Sequence, residues 1–151
     1  MNSFPAALPL QVQAARLLTI PMVISPVIVA AIFIALCSLL KEPARRHFSA
    51  IMVAGAGAAY LGGGLGVWEI AFCALITVLA YRGLADYRFI AAAWALHSGW
   101  DVMHHLYGRP IIPFSPTSSV GCAICDPVLA VWYALGAPSI YGWARPARKV
   151  G

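Results

Sequence analysis

The chain has 151 residues, 62% of them hydrophobic and only 10% charged, with a mean hydropathy of +0.82. These values exclude an ordinary soluble globular domain, and the length leaves no room for a soluble domain beside a membrane-embedded one. The formal charge of +5 falls in short clusters between apolar runs, a pattern of membrane topology and not of a nucleic-acid-binding face.

Up to about residue 15 the chain reads as an interfacial lead-in and not a signal peptide, because no basic segment precedes the first apolar run and that run is too long for one. Residues 17–40 carry no charge and predict a first tilted span, with Pro21 and Pro26 bending its first half. After "KEPARRH" the apolar stretch from Phe48 to Ala80 is too long for one crossing. The "GGGLG" at Gly62–Gly66 permits a tight reversal, which gives spans at 48–62 and 66–83. "RGLADYR" closes that pair, 89–107 is the fourth span and 127–143 the fifth, before the basic tail "ARPARKV". The expected architecture is therefore an all-α integral membrane protein, a single domain with a compact bundle of five transmembrane helices.

Alternation puts Lys41, Arg45, Arg46, Arg82, Arg88, Arg145, Arg148 and Lys149 on one side, against Arg16 and Arg109 on the other. By the positive-inside rule the first group is cytoplasmic. The N-terminus, the glycine turn and the loop from Gly108 to Cys125 then lie outside, and the C-terminus inside. The expected location is a bacterial cytoplasmic membrane. Trp68 and Tyr107 fit an outer aromatic belt, and Tyr81, Tyr87 and Trp143 an inner one. Trp94, Trp100 and Trp132 read as packing, and the "AGAGAA" at Ala54–Ala59 as a device for close helix contact.

The segment "HSGWDVMHHLY" interrupts this apolar pattern. On one helix His97, Asp101, His104 and His105 fall within an arc of about 100° and span roughly 12 Å of axis. Glu69 opens the third span at similar depth, and Cys122, Cys125 and Asp126 precede the fifth. Ionisable groups at membrane depth are functional by default. Imidazole and carboxylate on successive turns suit zinc or non-haem iron, with copper a further option. His97, Asp101, His104, His105 and Glu69 are the expected ligands, and Glu69 or Asp101 the base for a metal-activated water. A b-type haem is disfavoured, because no other helix offers an axial histidine.

The bland alternative keeps Asp101 with His97 or His104 as a buried structural pair. It also makes Asp126 a helix N-cap ahead of Pro127, and pairs Glu69 with Arg109.

"GCAICDP" supplies a rival chemistry. A C-x-x-C at a helix N-terminus favours thiolate, so Cys122 and Cys125 form either a redox pair, a secondary metal site or a local disulfide. The loop "GRPIIPFSPTSSVG" is long and stiffened by proline. It is expected either to cover the polar stripe, with "IIPF" dipping into the interface, or to pack as an ordinary external loop.

"ALHSGWDVMHHLYG", "PIIPFSPTSSVGCAICDP" and "GAPSIYGW" resemble a family of small bacterial integral membrane proteins, the domain of unknown function 6010. The resemblance covers roughly the last two thirds of the chain and brings no activity or cofactor with it. The stripe is also faintly similar to multi-histidine membrane hydrolases and hydroxylases, but it has one histidine box where a membrane desaturase has several.

The expected function is a membrane metalloenzyme, hydrolase or oxidoreductase, acting on a lipid-like or small hydrophobic substrate. The alternatives are a quinone-linked thiol/disulfide oxidoreductase, a metal or proton carrier, and an accessory subunit of a larger membrane complex. Homo-oligomerisation is compatible with so few helices.

Overall fold

A computed structural model describes residues 20–142. These residues form five α-helices, α1 (Ile20–Leu39), α2 (Ala44–Ala58), α3 (Val67–Gly83), α4 (Tyr87–Tyr107) and α5 (Ser118–Ala134), and contain no strand. The lead-in, Arg16, Trp143 and the basic tail with Arg145, Arg148 and Lys149 lie outside the described residues.

Four helices begin within a few residues of the sequence expectation. Pro43 directly precedes α2, a place where proline loses no helical hydrogen bond, so the helix takes in the basic residues 45–47 as its first turn. The fifth helix departs most: it starts at Ser118 and not at 127, which puts Pro127 in its interior. An internal proline leaves the carbonyl four residues earlier without its donor. Here the Ser98 hydroxyl of α4 donates to that carbonyl, Ala123 O, at 2.9 Å. The defect that normally ends a helix is thereby repaired from a neighbouring helix. At its other end α5 closes in a Schellman motif, with Gly136 at φ 82°, Gly136 N donating to Tyr133 O and Ala137 N to Trp132 O.

The helices alternate in direction and collect their ends in two groups. At one end Arg45 is buried and acts as a clamp. Its guanidinium donates to Cys37 O in the last turn of α1, to Leu40 O just beyond it and to Ala137 O after α5. Arg46 Nε donates to Leu84 O, and the Tyr87 hydroxyl to Glu42. Arg45, assigned to topology by sequence, is therefore a structural residue as well. At the other end the turn between α2 and α3 meets the loop 108–117, where Arg109 N donates to Gly63 O at 2.6 Å.

α4 and α5 pack most extensively against each other; α1 lies on α5, while α2 and α3 pair with one another and cover α4. The small-residue run in α2 does allow close approach: a Cβ on Gly57 would stand 2.7 Å from the Ile76 side chain of α3. The apolar core comprises such residues as Val53, Ile76, Ile90, Ala93 and Trp132, yet it shares the interior with Arg45, Glu69, His97, Asp101, His104, His105 and Asp126. Large apolar side chains such as Ile51, Ile70, Val78, Leu36 and Ile32 are instead exposed. Among the described residues, α1 is the one helix both long and apolar enough to cross a bilayer by those two measures, with a mean hydropathy of 2.6.

Candidate metal centre

Three side chains from the two most tightly packed helices converge. His97 and Asp101 stand one turn apart on α4, and Asp126 faces them from α5. His97 Nδ1 lies 2.8 Å from Asp126 Oδ2 and 3.3 Å from Asp101 Oδ2. One ligand atom from each of the three falls within 4.8 Å of the others. All three are buried, Asp101 completely, at 0% exposure. The Tyr60 hydroxyl, reaching in from the turn after α2, donates to Asp101 Oδ1 at 2.5 Å.

The position of Asp126 follows from the proline-bearing helix. With α5 starting at Ser118, Asp126 lies in its middle and has no free helix N-terminus to cap, so the capping interpretation is corrected: its carboxylate turns to His97. The same shift moves Cys122 and Cys125 away from the exposed amides of the helix start. They are free thiols one turn apart in the body of α5, and the dipole argument for a thiolate no longer applies.

Aromatic rings enclose the centre. Tyr60, Phe72 and Trp94 each place their ring centroids 5.8 Å from that of His97. Phe72 stacks on Trp100 at 4.4 Å. Such a sheath keeps out water and strengthens every electrostatic interaction within it. Two carboxylates against one imidazole then require positive charge, either as protons or as a cation.

The remaining members of the expected ligand set lie elsewhere. His104 stacks on Tyr60 with centroids 4.0 Å apart. It is wedged against two glycines whose Cβ atoms, if present, would come within 2.5 Å (Gly63) and 2.6 Å (Gly108) of its ring. The close packing explains why only glycine serves at both places. His105 is buried, with no hydrogen-bond partner on its ring nitrogens. Glu69 accepts from Gly62 N and Leu65 N, both at 2.7 Å. Its carboxylate thus holds the glycine turn and is not ion-paired with Arg109, because the ion pairs among the described residues are Arg45–Glu42 and the two of His97.

The contiguous four-residue stripe is accordingly divided. His97 and Asp101 join Asp126, while His104 and His105 pack outside that group. Tyr60 and Phe72 were not singled out from sequence. Tyr60 has one visible signal, a lone phenol closing the run of small residues, whereas Phe72 has none.

No curated protein and no solved structure matches the chain. A family model does, over residues 21–139, a stretch that contains the five helices of the described residues apart from Ile20, and every residue of the centre. The chain belongs to the family of unknown function DUF6010.

Proposed function

We propose that this chain is an integral membrane protein whose His97, Asp101 and Asp126 hold a divalent metal ion and make it a membrane metalloenzyme acting on a lipid-like substrate. The observation that carries the metal reading is the convergence of three buried donor groups within 4.8 Å. Metal–ligand bonds of about 2.0–2.1 Å at tetrahedral angles put donor atoms about 3.3 Å apart, comparable to the separations around His97 Nδ1. One imidazole and two carboxylates suit zinc or iron. Three protein ligands leave a position for water, which the cation would make nucleophilic near neutral pH. The Tyr60 phenol, hydrogen-bonded to Asp101, is placed to orient that carboxylate.

Membrane integration is supported by the inverted distribution of side chains, with ionisable groups inside and large aliphatic groups outside. The apolar α1 adds to this. Lys41, Arg45, Arg46, Arg82 and Arg88 gather at one end of the bundle, which on this reading is cytoplasmic. The glycine turn and the loop 108–117 then lie at the opposite, non-cytoplasmic side.

The hydrogen-bond distance between His97 and Asp126 favours one second reading, a metal-free imidazolium shared by two carboxylates that locks α4 to α5. Metal analysis of protein purified without chelator separates the two. Stoichiometric zinc or iron in wild type, lost in His97→Ala and Asp126→Ala and retained in Cys122→Ser, is the expected result. Wild-type protein that stays empty when zinc and iron are added back overturns the metal reading and leaves the structural one.

A further inference from the structure

The glycine turn and the proline-rich loop form an open cavity of about 370 Å³ between them. Tyr60, Leu61 and Gly63 line one wall, and Arg109, Ile111 and Pro113 the other. We infer that this cavity binds the head group of an anionic amphiphile, a single apolar chain ending in a phosphate or carboxylate, and that Arg109 selects its charge. Its identification as the substrate rests on the catalytic reading of the His97 centre; the binding site itself does not.

Three features support the inference. First, the guanidinium of Arg109 has no carboxylate within ion-pair distance among the described residues. The nearby acid, Glu69, has both oxygens engaged by the amides of the turn. The mouth therefore offers a cation without an ion-pair partner among the described residues, whose planar fork matches an oxyanion. Second, the loop around the cavity is apolar: Leu61, Ile112 and Phe114 are 51%, 42% and 89% exposed. A free anion makes no use of such surroundings, whereas an alkyl chain does. Third, Tyr60 is common to the cavity wall and to the centre, since its hydroxyl donates to Asp101. Tyr60 thus links the cavity wall to the Asp101 carboxylate. That side chain precedes a turn whose glycines Gly62 and Gly64 stand at φ 86° and 103°, conformations that glycine adopts without strain.

The experiment is isothermal titration of the full-length protein in neutral maltoside micelles with dodecyl phosphate, inorganic phosphate and dodecyltrimethylammonium. Arg109→Gln is the test variant and Arg88→Gln, at the opposite end of the bundle, the control. The Arg109 backbone, not its side chain, ties the loop to Gly63, so the variant keeps the fold. Dodecyl phosphate is expected to bind saturably, about tenfold or more weaker in Arg109→Gln and unchanged in Arg88→Gln. Inorganic phosphate and the cationic amphiphile are expected to bind far more weakly or not at all. Equal binding by wild type and Arg109→Gln overturns the inference, as does inorganic phosphate binding as tightly as dodecyl phosphate.

Metal content of the same preparations separates the two proposals. Metal-free wild type that still binds dodecyl phosphate through Arg109 removes the catalytic reading and leaves this site standing. Metal-loaded wild type that ignores dodecyl phosphate removes this site alone.

Discussion

Tyr60 touches both the glycine turn and the buried acids, which makes it the side chain whose removal says most. Tyr60→Phe keeps the ring stacked on His104 and deletes only the hydroxyl bound to Asp101. A hydrogen bond to a charged acceptor contributes about 1.5–3 kcal/mol, so thermal unfolding in detergent is expected to report a loss of that order. Gly63→Ala and Gly108→Ala test the packing of His104. Each new Cβ would enter the imidazole ring's space, and overpacking costs about 1–3 kcal/mol. Gly55→Ala, with open space around it, is the control, and within a helix it is expected to be neutral or slightly stabilising. His97, Asp101 and Glu69 were all visible in the sequence as ionisable groups in apolar surroundings. Which of them share a site was not, because Glu69 found two backbone amides within its own turn.

Among the elements, α5 depends most on its neighbour. Its internal proline leaves Ala123 O to the Ser98 hydroxyl, so Ser98→Ala is expected to cost about 1 kcal/mol by stranding a partly buried acceptor. Pro127→Ala restores the helical donor. The double variant Ser98→Ala with Pro127→Ala is therefore expected to lose less stability than the sum of the single changes, and a double-mutant cycle on unfolding free energy measures the difference. Additive effects would mean that the hydroxyl and the proline act independently. The fifth span was placed too late in the sequence because Asp126–Pro127 has the form of a helix start. The counter-evidence lies in another helix, in the Ser98 hydroxyl 25 residues before the carbonyl it serves.

On the scale of the whole molecule, Arg45 ties two chain segments to α2 at one end of the bundle, the end of α1 through the carbonyls of Cys37 and Leu40 and the segment after α5 through that of Ala137. Arg45→Ala is expected to destabilise the fold by about 3 kcal/mol or more, since several charge-assisted hydrogen bonds are lost together. Arg45→Lys is expected to recover little, because an ammonium cannot present the guanidinium's fork of donors to separate acceptors. Thermal melts of the three proteins check both statements. The proposed membrane orientation makes its own prediction. Cysteines introduced at Ser115 and at Ala85, in a background lacking the native thiols, are expected to be labelled by an impermeant reagent from opposite sides of intact vesicles. Labelling of both from one side would remove the alternating arrangement.

Composition and the lengths of the apolar runs determined a good deal by themselves: among the described residues an all-helical architecture of five helices, the reversal at Gly62–Gly66, and a polar stripe on α4 beginning at His97. These are properties of one segment at a time, set by local backbone preference and by how apolar a stretch is. Only the tertiary structure decided that Asp126 meets His97, that Tyr60 reaches Asp101, and that His104 and His105 stay outside the group. Helical periodicity fixes the angle of a side chain around its own axis, but the neighbour facing that angle depends on how the helices pack. In α5 that packing also decided where the helix begins, through a hydroxyl supplied from across the interface.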